Sequence, residues 1–263
     1  MEEFYRLSLF VQNFAVAIPR VAAAFLILPL ISQETMPSMV RNIFLVSIAI
    51  VVFPYIMLAL DEPLSIGTSL VPVVLKEAFI GLIIGFSFSI VFWILEGAGQ
   101  VIDNKIGTTT AQITDPMAGH QTTLIGSFMN HFATYVFVVS GGLIVFLQLI
   151  IESYIIWPIH SNFPDLPAFG QSFFIERFER LMYLTLLMAT PALLVLTIAE
   201  FGLGFVNRYA QQLNIFSLSM PIKAWLGILV IALMLNSIIE FIVAWLSEQQ
   251  QLLNVLQQVL LLR

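Results

Sequence analysis

Six apolar stretches, each close to or above the length of a bilayer-crossing helix, constrain this chain more than any other feature. They run approximately Leu7 to Ile31, Val40 to Leu60, Leu70 to Ala98, Leu124 to Ile151, Phe174 to Gly204 and Met220 to Leu246. A hydrocarbon core about 30 Å thick is crossed by roughly twenty apolar helical residues. Inside it every backbone N–H and C=O must be satisfied within the segment, which predicts helices. The remaining composition agrees: 59% of the 263 residues are hydrophobic and 10% charged, and mean hydropathy is +0.98. Soluble domains carry about a quarter charged residues, and one soluble core of this size could not hide so much apolar surface. The expected fold is an all-α, multi-span membrane protein with about six hydrophobic helices, several of them broken.

No repeat or long linker divides the chain, so residues 1–246 read as one helical membrane domain. Residues 247–263 read as an amphipathic C-terminal helix. Leu252, Leu253, Leu256, Val259 and Leu260 recur at helical spacing, with Asn254, Gln257 and Gln258 opposite. That polar face is rich in Gln rather than Lys, which favours a partner surface over an anionic lipid surface. Only Arg6 precedes the first apolar segment, so that segment reads as retained rather than as a cleaved signal.

Several function classes are excluded by what is missing. The chain has no cysteine, hence no disulfide, thiolate metal site or cysteine nucleophile. Net charge is −6 and no run of Lys or Arg exists to neutralise phosphates, which excludes nucleic-acid binding. Ser127 and His131 are four residues apart on one helical stretch, but no GxSxG elbow accompanies them. Base and nucleophile normally come from different elements, so a structural serine and a helix-contact histidine are the better reading. His120, His131 and His160 occur without HExxH or an acidic cluster, and no phosphate-cradling glycine loop is present. No catalytic, cofactor or metal residues are predicted.

Ionisable residues inside the apolar stretches cost several kcal/mol each unless paired or hydrated, so Arg20, Lys76, Glu77, Glu96, Glu200, Lys223 and Glu240 need partners, water or a route to the interface. Lys76 and Glu77 are adjacent and point about 100° apart on a helix, so at least one must face another helix. Lys76 and Lys223 could instead snorkel. Proline interrupts the spans at Pro19, Pro29, Pro54, Pro72 and Pro191, while Gly81 and Gly85 make a small-residue face for close helix approach. Flanking cations do not choose an orientation. Arg6, Arg177, Arg180 and Arg263 fall on one side of the spans, and Arg41, Lys105 and Arg208 on the other.

The segment Gly97 to Gln121 strings Gly97, Gly99, Gly107, Pro116 and Gly119 around Thr108, Thr109 and Thr110, with Asp103 and Asp115 placed in the same loop. Irregular polar backbone between long spans is tolerated in water, in a cavity or against protein, so it is either an external loop or a re-entrant pore element.

The order and spacing of these residues resemble the SctT/FliR family, export-apparatus proteins of type III secretion systems and bacterial flagella. One block runs Lys76, Glu77, Ile80, Gly81, Gly85, Phe92, Trp93, Gly99, Ile102, Asp103, Asn104, Gly107, Asp115, Pro116 and Gly119. A second runs Pro191, Glu200, Leu203, Gly204, Arg208, Gln212, Asn214, Phe216 and Lys223. Ser140, Gly141 and Gly142 stand where flagellar members usually carry Asn-Gly-His, which favours the injectisome branch. Gln211 stands where many relatives have proline, and Lys105 where glutamine is usual.

The resemblance implies a non-enzymatic subunit of the bacterial inner membrane. It would join SctR-like and SctS-like partners in a portal for unfolded secreted proteins, beside an SctU-like switch protein and an SctV-like export gate. It also implies that Gly107, Thr108, Thr109, Thr110, Asp115, Pro116, Met117 and Gly119 form a loop plugging the channel. Lys76, Glu77, Glu200, Arg208, Asn214 and Lys223 would be buried polar or assembly residues. The rival reading from the residues alone is a secondary transporter for a small solute, motivated by broken spans and midspan Lys76, Glu77 and Glu200.

Overall fold

The computed structural model describes Val16 and residues 18–31, 37–59, 70–108, 123–159, 166–209 and 215–261. Among them every regular element is helical: α1 (Ile18–Ile27), α2 (Ser38–Ala59), α3 (Leu70–Ile106), α4 (Leu124–Val139), α5 (Gly142–Ile156), α6 (Leu166–Tyr209) and α7 (Ile215–Leu261), with a 3-10 turn at Pro29–Ile31. The chain is an all-α membrane protein.

Among the described residues the number of candidate spans is lower than six. Three helices are long and apolar enough to cross a bilayer, Val71–Ile106, Phe173–Tyr209 and Leu218–Gln251, and a fourth span arises if α4 and α5 are counted as one broken unit. The stretch expected as one helix from Leu124 to Ile151 is divided because Gly141 takes a left-handed backbone, φ +80°, which glycine adopts without a Cβ penalty. Of the first two stretches, the described apolar windows Ile18–Ile27 and Ser38–Pro54 are too short to count as spans, although α2 itself continues to Ala59. Conversely, the three long helices have 36, 37 and 34 residues, or about 50–55 Å at 1.5 Å per residue. They overshoot a hydrocarbon core of about 30 Å.

The glycine-rich segment also begins later than its composition suggests. α3 continues without interruption through Gly97, Gly99 and Asp103 to Ile106. Those glycines are packing sites rather than loop residues. A Cβ on Gly99 would come within 2.7 Å of the Gly126 backbone on α4, and one on Gly97 within 3.1 Å of Thr185 on α6. α3 ends at Gly107, whose φ is +94°. The prolines divide similarly. Pro54, Pro191 and Pro221 lie inside helices, whereas Pro72 sits in the first turn of α3, where a missing N–H leaves no bond unmade.

The chain forms two compact units. The first takes the described residues of Met1–Ile90, Gly141–Phe173 and Leu246–Arg263. Here α1 lies against α3 so closely that Gly81 and Gly85 meet the carbonyls of Arg20 and Ala24, leaving no room for a side chain. An aromatic row closes the core: Phe25 stands edge-on to Phe44 (5.9 Å) and Phe146 (5.0 Å), and Phe146 meets Phe88 at 5.1 Å. α2 packs on α5.

The second unit comprises the described residues of Val91–Ser140 and Phe174–Trp245. Its core joins α3 to α4 through Phe92 and Phe137, 5.2 Å apart. Gly227 of α7 lies against the Ile106 side chain. The outward faces of α6 and α7 are apolar and bare. Only 22% and 28% of their spans are buried, against 61% for α3.

Candidate functional site

In helices otherwise built from Val, Ile, Leu and Phe, the polar residues gather in two clusters, one in each unit. In the first unit Arg20 of α1 is fully buried. Its Nε and Nη2 donate to the two carboxylate oxygens of Glu77 on α3, at 2.7 and 3.0 Å. Such a fork-to-fork pair is the geometry a guanidinium and a carboxylate satisfy best. Nη1 donates to Ser153 Oγ (3.0 Å) and Nη2 also to the Trp157 carbonyl (2.9 Å). The guanidinium lies 3.9 Å above the Tyr154 ring.

Lys76 is buried too rather than snorkelling. Its Nζ lies 3.4 Å from Glu77 and donates to the carbonyls of Pro158 and Ile159 at 3.0 and 2.6 Å. Two cations on α1 and α3 thus hold the three carbonyls that follow α5, where cations are favoured by the exposed C=O groups of a helix end. Each guanidinium nitrogen of Arg20 and the ammonium of Lys76 has a protein acceptor, which makes the cluster a fastening between helices rather than an open site.

In the second unit Asp103, expected in a loop, is a fully buried residue of α3. Its Oδ2 accepts from the Ile125 and Gly126 amides at 2.7 and 3.2 Å. These are the first-turn amides that an N-cap side chain normally satisfies, and Thr123 at that position makes no such bond. Asp103 therefore caps α4 from another helix, with its charge at the positive end of the helix dipole. Thr108 Oγ1 donates to the Asp103 carbonyl (3.1 Å) and Oδ1 (3.0 Å), and the Gly107 amide donates to the same carbonyl at 3.0 Å. Gly107 and Thr108 are thereby placed at the end of α3. Thr109, Thr110, Asp115, Pro116, Met117 and Gly119 lie outside the described residues.

Beside this junction Lys105 Nζ donates to Glu200 Oε2 at 2.6 Å. Lys223 Nζ lies 3.7 Å from Glu200 Oε1 and donates to the Lys105 carbonyl at 3.3 Å. α3, α6 and α7 are bound here through one half-exposed carboxylate. Lys105, Thr197, Glu200, Phe201, Gly204, Phe205 and Arg208 line a cavity of about 420 Å³. Arg208 is exposed at the end of α6, and Asn214 lies outside the described residues.

The fold thus brings together Lys76 with Glu77, and Glu200 with Lys223. It separates these pairs into different units. Sequence reading had no partner for Arg20 and missed Ser153, Tyr154 and the capping role of Asp103. It also missed Asn130, whose Nδ2 donates to Glu96 at 2.8 Å. Ser127 and His131 both lie on α4, His131 exposed.

Residues 11–248 match the family described as bacterial export proteins, family 1. The chain belongs to this family. The motif order had pointed to the same place, the SctT/FliR export-apparatus proteins of type III secretion. Among its relatives, Yop proteins translocation protein T of Yersinia pestis is 32% identical over 84% of this chain and 85% of its own length. Surface presentation of antigens protein SpaR of Salmonella typhimurium is 29% identical over 94% of this chain and 91% of its own. Flagellar biosynthetic protein FliR of Pectobacterium carotovorum is 27% identical over 89% and 88%. The secretion-type relatives match at the higher identities, in keeping with the Ser140, Gly141 and Gly142 segment.

Proposed function

We propose that this chain is a non-enzymatic structural subunit of a type III secretion export gate in the bacterial inner membrane. With SctR-like and SctS-like subunits it forms the portal through which unfolded proteins leave the cytoplasm, working beside an SctU-like switch protein and an SctV-like export gate. The observation that carries this reading is the family match across residues 11–248. Two physical features support it. The three long helices exceed the bilayer core by some 20 Å, so part of each lies beyond hydrocarbon. The apolar faces of α6 and α7 remain uncovered by the described residues, as expected of helices that other subunits cover. An exposed apolar patch of that extent marks an interaction or lipid-facing surface.

In this reading residues 107–119 form a plug in the channel. The Gly107 turn, tied to Asp103, is its root, and the glycines leave it able to move aside. Lys76, Glu77, Glu200, Arg208, Asn214 and Lys223 hold the subunit together or join it to its neighbours. Deleting Thr108 to Met117 in the assembled gate is expected to raise ion leakage across the membrane, read as conductance in planar bilayers. Unchanged conductance would remove the plug from the account. A solute-specific flux by the chain on its own would favour a small-solute transporter instead.

A further inference from the structure

We propose that the groove lined by Lys105, Phe201, Gly204, Phe205 and Arg208 in the second unit binds an anionic phospholipid, its phosphate among the cations and its acyl chain along the two phenylalanines. The inference needs only the membrane location of the chain and stands apart from the export-gate reading.

Charge is the first argument. The chain carries 10 Lys and Arg against 16 Asp and Glu, yet Lys105, Glu200 and Arg208 line one groove, and Lys223 reaches the same Glu200 carboxylate. That carboxylate is already engaged by both lysines. An ammonium has three donors, so Lys105 retains N–H groups for a second acceptor. Arg208 makes no ion pair among the described residues, and it presents a fork suited to phosphate oxygens.

Depth is the second argument. Lys105 lies in the last turn of α3 and Arg208 in the last turn of α6, so both cations stand at the ends of long apolar helices and away from the hydrocarbon centre. Tyr209 and Trp225 are 86% and 67% exposed, and such rings concentrate at headgroup level.

The apolar wall is the third. Phe201 and Phe205 are 68% and 64% exposed, and a Cβ placed on Gly204 would meet nothing within 4 Å. The groove, about 420 Å³, falls in the range of small-ligand sites. A free anion would use the cations and leave the aromatic wall bare, whereas a phospholipid covers both. Basic pockets between membrane helices take anionic headgroups for this reason.

The test uses the full chain purified in a neutral detergent, with lipid binding measured by native mass spectrometry. Phosphatidylglycerol is expected to bind roughly tenfold more tightly than phosphatidylcholine. Arg208→Gln combined with Lys105→Gln is expected to bring the preference within about twofold. The charge-preserving pair Arg208→Lys and Lys105→Arg should retain it, as should Arg41→Gln in the first unit. Equal binding of the two lipids by the wild type would overturn the proposal. So would a preference surviving in the double Gln variant, and so would inorganic phosphate or a polyglutamate peptide displacing phosphatidylglycerol at equal concentration.

Discussion

Arg20 and Glu77 show how a buried charge can be both a requirement and a liability. Neither touches water, so removing one leaves the other uncompensated in low dielectric, which typically costs about 3–5 kcal/mol. Arg20→Met alone and Glu77→Leu alone are each expected to lower the unfolding midpoint in detergent strongly. The double variant Arg20→Met with Glu77→Leu should recover much of the loss, because an apolar pair of similar volume avoids desolvation altogether. Additive losses in this cycle would mean that the contact to Ser153, Tyr154 and the Trp157 carbonyl matters more than the ion pair. Asp103 obeys the same logic with backbone donors. Asp103→Ala leaves the Ile125 and Gly126 amides without their acceptor, at about 1–3 kcal/mol for each group. Faster amide exchange confined to the first turn of α4 is the expected signature, with Asp103→Asn in between. Unchanged exchange there would show that the cap is dispensable. At this scale the sequence exposes the problem but not its solution. Arg20, Lys76 and Glu77 stand out as charges in apolar runs, while Ser153 and the carbonyls after α5 lie far along the chain and carry no local signal. Asp103 was hidden for a different reason. Flanked by Gly97, Gly99 and Gly107, it looked like a loop residue, and nothing in a single sequence tells a glycine that bends a chain from one that lets another helix in.

Glycine contacts also decide which helices can lie together. Gly85 faces the Ala24 carbonyl of α1, and a side chain there would meet backbone, which cannot yield as a side-chain tip can. Gly85→Val is expected to push α1 off α3 and lower the thermal midpoint markedly. Gly202→Ala on α6, where a Cβ meets nothing within 4 Å, should be neutral or slightly stabilising through helix propensity, by up to about 1 kcal/mol. Equal effects of the two substitutions would contradict the close approach of α1 to α3. Helix identity was legible from the apolar runs because the bilayer sets both length and backbone state. Helix limits were not. Gly141 splits the fourth apolar stretch although the flanking residues are as apolar as elsewhere, since hydropathy has no term for a left-handed φ. α3 outlasts its apolar run by a further two turns because Asp103 and Lys105 find partners on α4 and α6.

For the molecule as a whole, the all-helical membrane class follows from composition and span length, and the family from the ordered motifs of α3, α6 and α7. The span count did not follow. Among the described residues the six apolar stretches resolve into three long helices, one broken pair and two shorter apolar windows, because an apolar run reports exclusion from water and not whether lipid or protein provides it. The bare faces of α6 and α7 are where that distinction has consequences, and the central claim is that partner subunits cover them outside the Phe201 and Phe205 groove. Co-expression of the chain with SctR-like and SctS-like subunits, purification in mild detergent and measurement of the mass of the surviving species tests this most directly. The account predicts a discrete hetero-oligomer holding one copy of this chain, more stable than the chain alone. A monodisperse, stable chain that ignores those subunits would contradict it.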